Sequence, residues 1–128
     1  MLEKMFNANS VAVIGASHTE GKVGNSVLKN LVNDFDGKII PVNPNSEMIM
    51  GLKSYPNILD VPDNIDLAVI VIPAIFVPKT IDECGRAGVK NVVVISAGFK
   101  ESGVEGAKLE RESVEIAQKY GIRMLGPN

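Results

Sequence analysis

The sequence holds one cysteine, Cys84, one histidine, His18, and no tryptophan. A single thiol excludes an internal disulfide. One cysteine and one histidine exclude the Cys/His clusters that hold structural zinc, so no bound metal is expected. A reducing cytoplasm is the compartment that fits such cysteine usage. Positive charge is also not in excess: 13 Lys and Arg stand against 15 Asp and Glu, a formal net charge of −2. That leaves no basic face for the phosphates of a nucleic acid, and no nucleic-acid partner is expected. Long apolar runs are missing too. The most hydrophobic stretch, residues 67–77, is too short to span a bilayer and is broken by Pro73. Residues 1–9 have no apolar core of signal-peptide length, so no membrane partner is expected either.

What is present is an ordinary folding composition. Hydrophobic residues make up 45% and charged residues 22% of 128 residues, enough for one core and one domain. Val11, Ala12, Val13 and Ile14 form an apolar run bounded by Ser10 and Gly15, which reads as a strand. Val27, Leu28, Leu31, Val32 and Phe35 follow at helical spacing, and residues 34–37 close that helix. Residues 38–42 read as a second strand, followed by a turn cluster around Pro44. Residues 47–64 are less regular and hold at most a short edge strand near 53–55, limited by Pro56. Residues 67–72 are continuously apolar, the pattern of a strand buried on both faces. Pro78 opens a helix whose inward face is Ile81, Cys84 and Ala87, with Gly88 as its stop. Residues 91–95 are another buried strand. The longest helix, residues 105–120, aligns Leu109, Ser113, Ile116, Ala117 and Tyr120 and ends at Gly121, before a last short strand over 122–125. Met48 and Met50 read as ordinary packing around Ile49.

Strands alternating with helices imply crossover connections and a parallel sheet. The fold class is therefore α/β: a Rossmann-like, doubly wound parallel sheet of about five strands with helices on both faces. In such sheets ligands bind beyond the carboxyl ends of the strands, where the strand order reverses. The segments that follow the strands are residues 15–24, 43–46, 73–76, 96–99 and 126–128. Most are rich in Gly, Pro, Asn or Ser, where backbone turns sharply or comes close to something.

The first of these loops, GASHTEGKVG over residues 15–24, has the outline of a phosphate cradle but matches neither common fingerprint. A P-loop needs four residues between its glycines and a hydroxyl after its lysine. Here Gly15 and Gly21 enclose five, and Val23 follows Lys22. The dinucleotide fingerprint needs a second glycine where Ser17 stands, and an acidic residue at the end of the second strand, where Val42, Asn43 and Pro44 stand. The physics of the loop remains: free N–H groups at a helix start, with Lys22 beside them, favour an anion such as a pyrophosphate. These residues point to an adenine nucleotide bearing a pyrophosphate rather than to NAD read in the usual way.

Five motifs occur together in order: GASHTEGKVG, IPVNPN, IVIPA, VISAGFKE and GIRMLGPN. In this combination the chain resembles the CoA-binding domains of NDP-forming acyl-CoA synthetases, in particular the ADP-forming acetate–CoA ligases related to the α subunit of succinyl-CoA synthetase. The resemblance covers essentially the whole chain. It implies that Gly15, Ala16, Ser17, Gly21 and Lys22 approach the nucleotide part of CoA. It implies that Val42, Asn43, Pro44 and Ser46 lie near the ribose or adenine, and Ile72 and Pro73 near the adenine. Ser96, Ala97 and Gly98 would lie along the pantetheine arm. CoA is then a substrate, and the partners are further domains, or a β-type ATP-grasp subunit, of the same ligase.

Two departures matter. Many members carry a lysine in or just after the VNP turn, a natural partner for the 3′-phosphate of CoA, where this chain has Asn45 and Ser46; either affinity is lower, or Lys22, Lys53 or another cation supplies the charge. The family reaction also passes phosphate through a histidine in a following domain, and His18 does not match that motif. The chain is expected to be the N-terminal CoA-binding domain, residues 1–128, of a longer ligase, and not catalytic by itself. The competing expectation is a stand-alone module that binds CoA or NAD(H) without catalysis. His18 is expected to be a solvated loop residue, Cys84 a core residue, and Glu110, Arg111 and Glu112 a solvated helix face.

Overall fold

A computed structural model describes residues 6–99 and 102–127. Five parallel strands form one sheet: β1 (Ser10–Ile14), β2 (Lys38–Val42), β5 (Leu67–Ile70), β6 (Asn91–Val94) and β7 (Arg123–Leu125). Their order is β2-β1-β5-β6-β7, so the chain winds outward in both directions from the junction of β1 and β5. Helix α1 (Val23–Asp34) joins β1 to β2, α2 (Val77–Arg86) joins β5 to β6, and α3 (Val104–Tyr120) joins β6 to β7. Alternate side chains of each strand serve opposite faces. Val11, Val13, Leu67 and Val69 pack with Leu28 and Leu31 of α1, while Ala12, Ile14, Ala68 and Ile70 pack with Ile81 and Cys84 of α2 and Ala117 of α3. This is the Rossmann-like α/β sheet covered on both faces, and β1 and β5 read as unbroken apolar runs for that reason.

The helices α2 and α3 touch closely. A Cβ on Gly85 would fall within 2.2 Å of the Tyr120 ring, and the Tyr120 hydroxyl donates to Asp82 Oδ1 at 2.7 Å. That hydrogen bond, first, and then partial desolvation and the Asp82 charge raise the Tyr120 pKa. Within α3, Leu109, Ser113, Ile116, Ala117 and Tyr120 do form the inward stripe, and Gly121 ends the helix with φ +69°.

Four expectations are corrected. Ala87 is exposed, because it caps α2 and lies past its inward face, which is made by Val77, Thr80, Ile81 and Cys84. Val32 points to water although its spacing matched the stripe; buried Asn25 takes part in α1's inner face instead. The irregular segment holds a small antiparallel hairpin, β3 (Met48–Ile49) and β4 (Leu52–Lys53), followed by a bridge from Tyr55 to Val42. Tyr55 donates its N–H to the Pro41 carbonyl and accepts the Asn43 N–H, which covers the free edge of β2. In that hairpin Ile49 and, in part, Leu52 pack inward; Met48 and Met50 are exposed.

Candidate functional site

The carboxyl ends of β1, β2, β5 and β6 open into a cleft of about 1050 Å³, at the point where the strand order reverses. One side is the loop that leads into α1. Gly15 leaves β1 with φ +95°, and a Cβ there would lie 2.0 Å from the Val71 carbonyl oxygen. Gly24 sits in the first turn of α1, where a Cβ would lie 2.0 Å from the Gly15 carbonyl oxygen. Both glycines are required because main chain packs directly on main chain. Helix α1 starts after Lys22, which offers no side-chain cap. The first N–H groups of a helix have no intrahelical acceptor. This end of α1 therefore presents the positive end of the helix dipole to the cleft, with the Lys22 ammonium beside it.

Several polar side chains around the cleft hold the loops to one another. The Ser17 hydroxyl accepts the Thr19 N–H at 3.0 Å, and Asn25 Nδ2 donates to the Ser17 carbonyl at 3.0 Å. Asn43 Nδ2 donates to the Ala16 carbonyl at 2.8 Å, while its Oδ1 accepts the Asn45 N–H at 2.7 Å. The Ser96 hydroxyl accepts the Ile72 N–H at 3.1 Å and donates to the Ile70 carbonyl at 3.4 Å. These bonds fix the shape of the rim and leave main-chain groups to face the cavity.

The opposite side is made by α2 and the segment before β5. Val42, Ile58 and Ile72 give it apolar walls. Asn57 caps the short 3₁₀ turn Ile58–Asp60, its Oδ1 accepting the Leu59 N–H at 2.8 Å, and its Nδ2 donates to Glu83 Oε2 at 3.0 Å. Thr80, one turn earlier on α2, donates its hydroxyl to the Phe76 carbonyl at 2.9 Å. Among the described residues that line the cleft, Lys22 is the one cation and Glu83 the one anion.

All of the residues expected at the site line this cleft except Gly21 and Ser46. Gly21 has φ +91° and open space around it, so the turn alone requires it. Asn45 lines the cleft in place of its neighbour Ser46. Gly126 and Pro127 are not in the lining, because β7 is separated from the switch point by β5 and β6; Asn128 lies outside the described residues, as do Lys100 and Glu101 of the fourth motif. His18 is exposed and outside the lining. Lys53 lies over the Tyr55 ring, 5.1 Å from its centroid, away from the cleft. Cys84 is buried, and burial, helped by the Glu83 charge, pushes its thiol up to about 12. No group of three or more His, Cys, Asp or Glu among the described residues is placed to hold a metal ion. No helix among them is long and apolar enough to cross a membrane.

The family of CoA binding domains, CoA_binding_2, matches residues 9–128. The chain belongs to that family. Archaeoglobus fulgidus acetate–CoA ligase (ADP-forming) I is 57% identical over 127 residues, which is 99% of this chain and 18% of the relative. The α subunit of Pyrococcus furiosus acetate–CoA ligase (ADP-forming) I is 52% identical over 132 aligned residues, 99% of this chain and 29% of that subunit. In three dimensions, the apo dinucleotide forming acetyl-coenzyme A synthetase 1 of Ca. Korarchaeum cryptofilum superposes with a TM-score of 0.90 at 50% identity, covering 100% of this chain and 28% of that one. The CoA binding domain described here thus spans less than a third of the length of these relatives.

Asn57, Thr80 and Glu83 were not among the expected site residues of this CoA binding domain. They follow no strand directly, so a search of strand ends passes over them. The available signal was the spacing of Thr80 and Glu83, three apart on one face of a helix that begins at the rim.

Proposed function

We propose that this chain is the CoA-binding domain of an ADP-forming acyl-CoA ligase, of the acetate–CoA ligase type, and that it forms the N-terminal part of that enzyme in a reducing cytoplasm. The pyrophosphate of CoA lies on the α1 side, against the first-turn N–H groups and Lys22. The nucleoside lies between residues 42–45 and Ile72 and Pro73, and the pantetheine arm runs past Ser96, Ala97 and Gly98. In the parent enzyme, acid, CoA and ATP interconvert with acyl-CoA, ADP and phosphate. Phosphohistidine and acyl-phosphate chemistry belongs to other domains or to a β-type ATP-grasp subunit, and no metal is bound by this domain.

The observation that carries the reading is the pairing of an uncapped helix end with Lys22 in one cleft, on a chain of the CoA binding domain family. Calorimetric titration of the 128-residue chain with CoA, dephospho-CoA and NAD tests it. The expected result is CoA binding more tightly than NAD. CoA and dephospho-CoA binding equally would retain the pyrophosphate site and remove a 3′-phosphate site. NADH binding more tightly than CoA would favour a nicotinamide-nucleotide sensor, and a folded chain that ignores all of these ligands would defeat the proposal.

A further inference from the structure

The charge distribution of the cleft is polarised, with its cation beside the glycine loop and its anion on α2. A carboxylate repels phosphate, so the part of a ligand that lies against Glu83 is uncharged or offers hydrogen-bond donors. Glu83 is half-buried, and no lysine or arginine among the described residues forms an ion pair with it. Its described hydrogen-bond partner is Asn57 Nδ2, on Oε2 at 3.0 Å. Asn57 cannot turn its amide over without losing the Leu59 N–H from Oδ1. The amide nitrogen is therefore held toward Glu83, and its two hydrogens include one beyond the bond to the carboxylate. The pair offers an acceptor, the carboxylate, next to a donor, the amide N–H, at the edge of a slot walled by Val42, Ile58 and Ile72. Apolar walls with one fixed polar edge are how proteins select a flat heteroaromatic ring.

We infer that Asn57 and Glu83 read the base of the bound nucleotide, Glu83 accepting a hydrogen bond from the exocyclic amine of adenine while Asn57 donates to a ring nitrogen. The inference rests on the proposal that the cleft takes CoA. Hypoxanthine replaces the amine by a carbonyl, which sets an oxygen against the carboxylate, and its N1 carries a hydrogen where adenine has an acceptor. The same cleft would thus bind the pyrophosphate equally from both nucleotides and separate them at the base.

The test is titration of the 128-residue chain with CoA and with the CoA analogue that carries hypoxanthine in place of adenine. CoA is expected to bind about tenfold more tightly or better, the range for a buried polar group left facing the wrong partner. In Glu83→Gln the ratio is expected to fall below about threefold, chiefly through weaker CoA binding, with the melting temperature unchanged. Equal affinities in the unmodified chain, or a ratio that Glu83→Gln leaves intact, would overturn the inference while keeping the CoA site. In that second case the Asn57–Glu83 bond is only a tether between α2 and the preceding turn. Binding of neither ligand would remove the CoA site itself and this inference with it. The comparison in the unmodified chain needs no variant, so a poorly folding Glu83→Gln does not rescue the idea.

Discussion

On the α1 side of the cleft, the groups that form the wall are chiefly main chain at a helix start, placed by glycines that touch neighbouring backbone, with the Lys22 side chain beside them. On the α2 side they are side chains, Asn57, Thr80 and Glu83, carried by a turn and a helix. The first side is rigid because its parts are carbonyls and amides at contact distance. The second is held by three hydrogen bonds, from Asn57 to Glu83, from Leu59 to Asn57 and from Thr80 to Phe76. If the cleft takes CoA as proposed, the difference separates anchoring from discrimination: charge would be held by backbone and one ammonium, and identity would be read by groups that a single substitution removes.

The strongest way to break the comparison is to add a methyl group to the rigid side. Gly24→Ala would set its Cβ 2.0 Å from the Gly15 carbonyl oxygen, and Gly15→Ala would set its own 2.0 Å from the Val71 oxygen at a φ of +95°. Each is expected to lower unfolding free energy by about 3 kcal/mol, read as a shifted urea midpoint. If either variant were as stable as the parent chain, the main-chain account of that wall would be wrong.

Next comes the charge. Lys22→Ala is expected to weaken CoA binding about tenfold at low ionic strength, and by less as salt is added, because an exposed ammonium is screened. A loss independent of salt would place Lys22 in a packed structural role. On the other side, Asn57→Ala removes the cap of the Ile58–Asp60 turn and the bond to Glu83 together. A stability loss of about 1 kcal/mol is expected by thermal or urea unfolding. A loss as large as that of Gly24→Ala would erase the contrast between the two walls.

An effect that is absent near neutral pH concerns Cys84, which lies beneath the α2 side. Its thiol is pushed from 9.0 to about 12 in the folded chain, so the folded state resists ionisation. The stability linked to it is complete below pH 9 and is lost as the pH rises from 9 toward 12, where the unfolded chain releases the proton first. The urea midpoint of the parent chain is expected to fall more steeply above pH 9 than that of Cys84→Ala. Identical slopes would mean that the thiol is less enclosed than its burial indicates.

The sheet, all five of its strands and the two long helices at its flanks were legible because each is an apolar run or stripe closed by a glycine or a turn. The α1 side of the cleft was legible for the same reason: Gly15 to Lys22 follows a strand directly. What the sequence hid has specific causes. The hairpin β3–β4 has two-residue strands, too short for any periodicity. Val32 and Ala87 matched helical spacing, but where α1 and α2 end their stripes is decided by neighbouring elements. Ser96 and Asn43 line the cleft, as the family resemblance implied, but their bonds to Ile70, Ile72 and Ala16 join segments that are distant in sequence, which no local pattern reveals. Glu83 gave only its spacing from Thr80, because a carboxylate on a helix surface acquires meaning from the cavity beside it.

The contact between Gly24 and the Gly15 carbonyl also bears on how this cleft can change over generations. A wall made of backbone offers mutation few neutral routes, since nearly every replacement at those glycines costs folding before it touches binding. Asn57, Thr80 and Glu83 carry a smaller burden, about 1 kcal/mol for the Asn57 cap, and can vary one at a time. A lineage that kept this anion cradle while shifting to another base would be expected to record its history on α2 and not in the glycine loop.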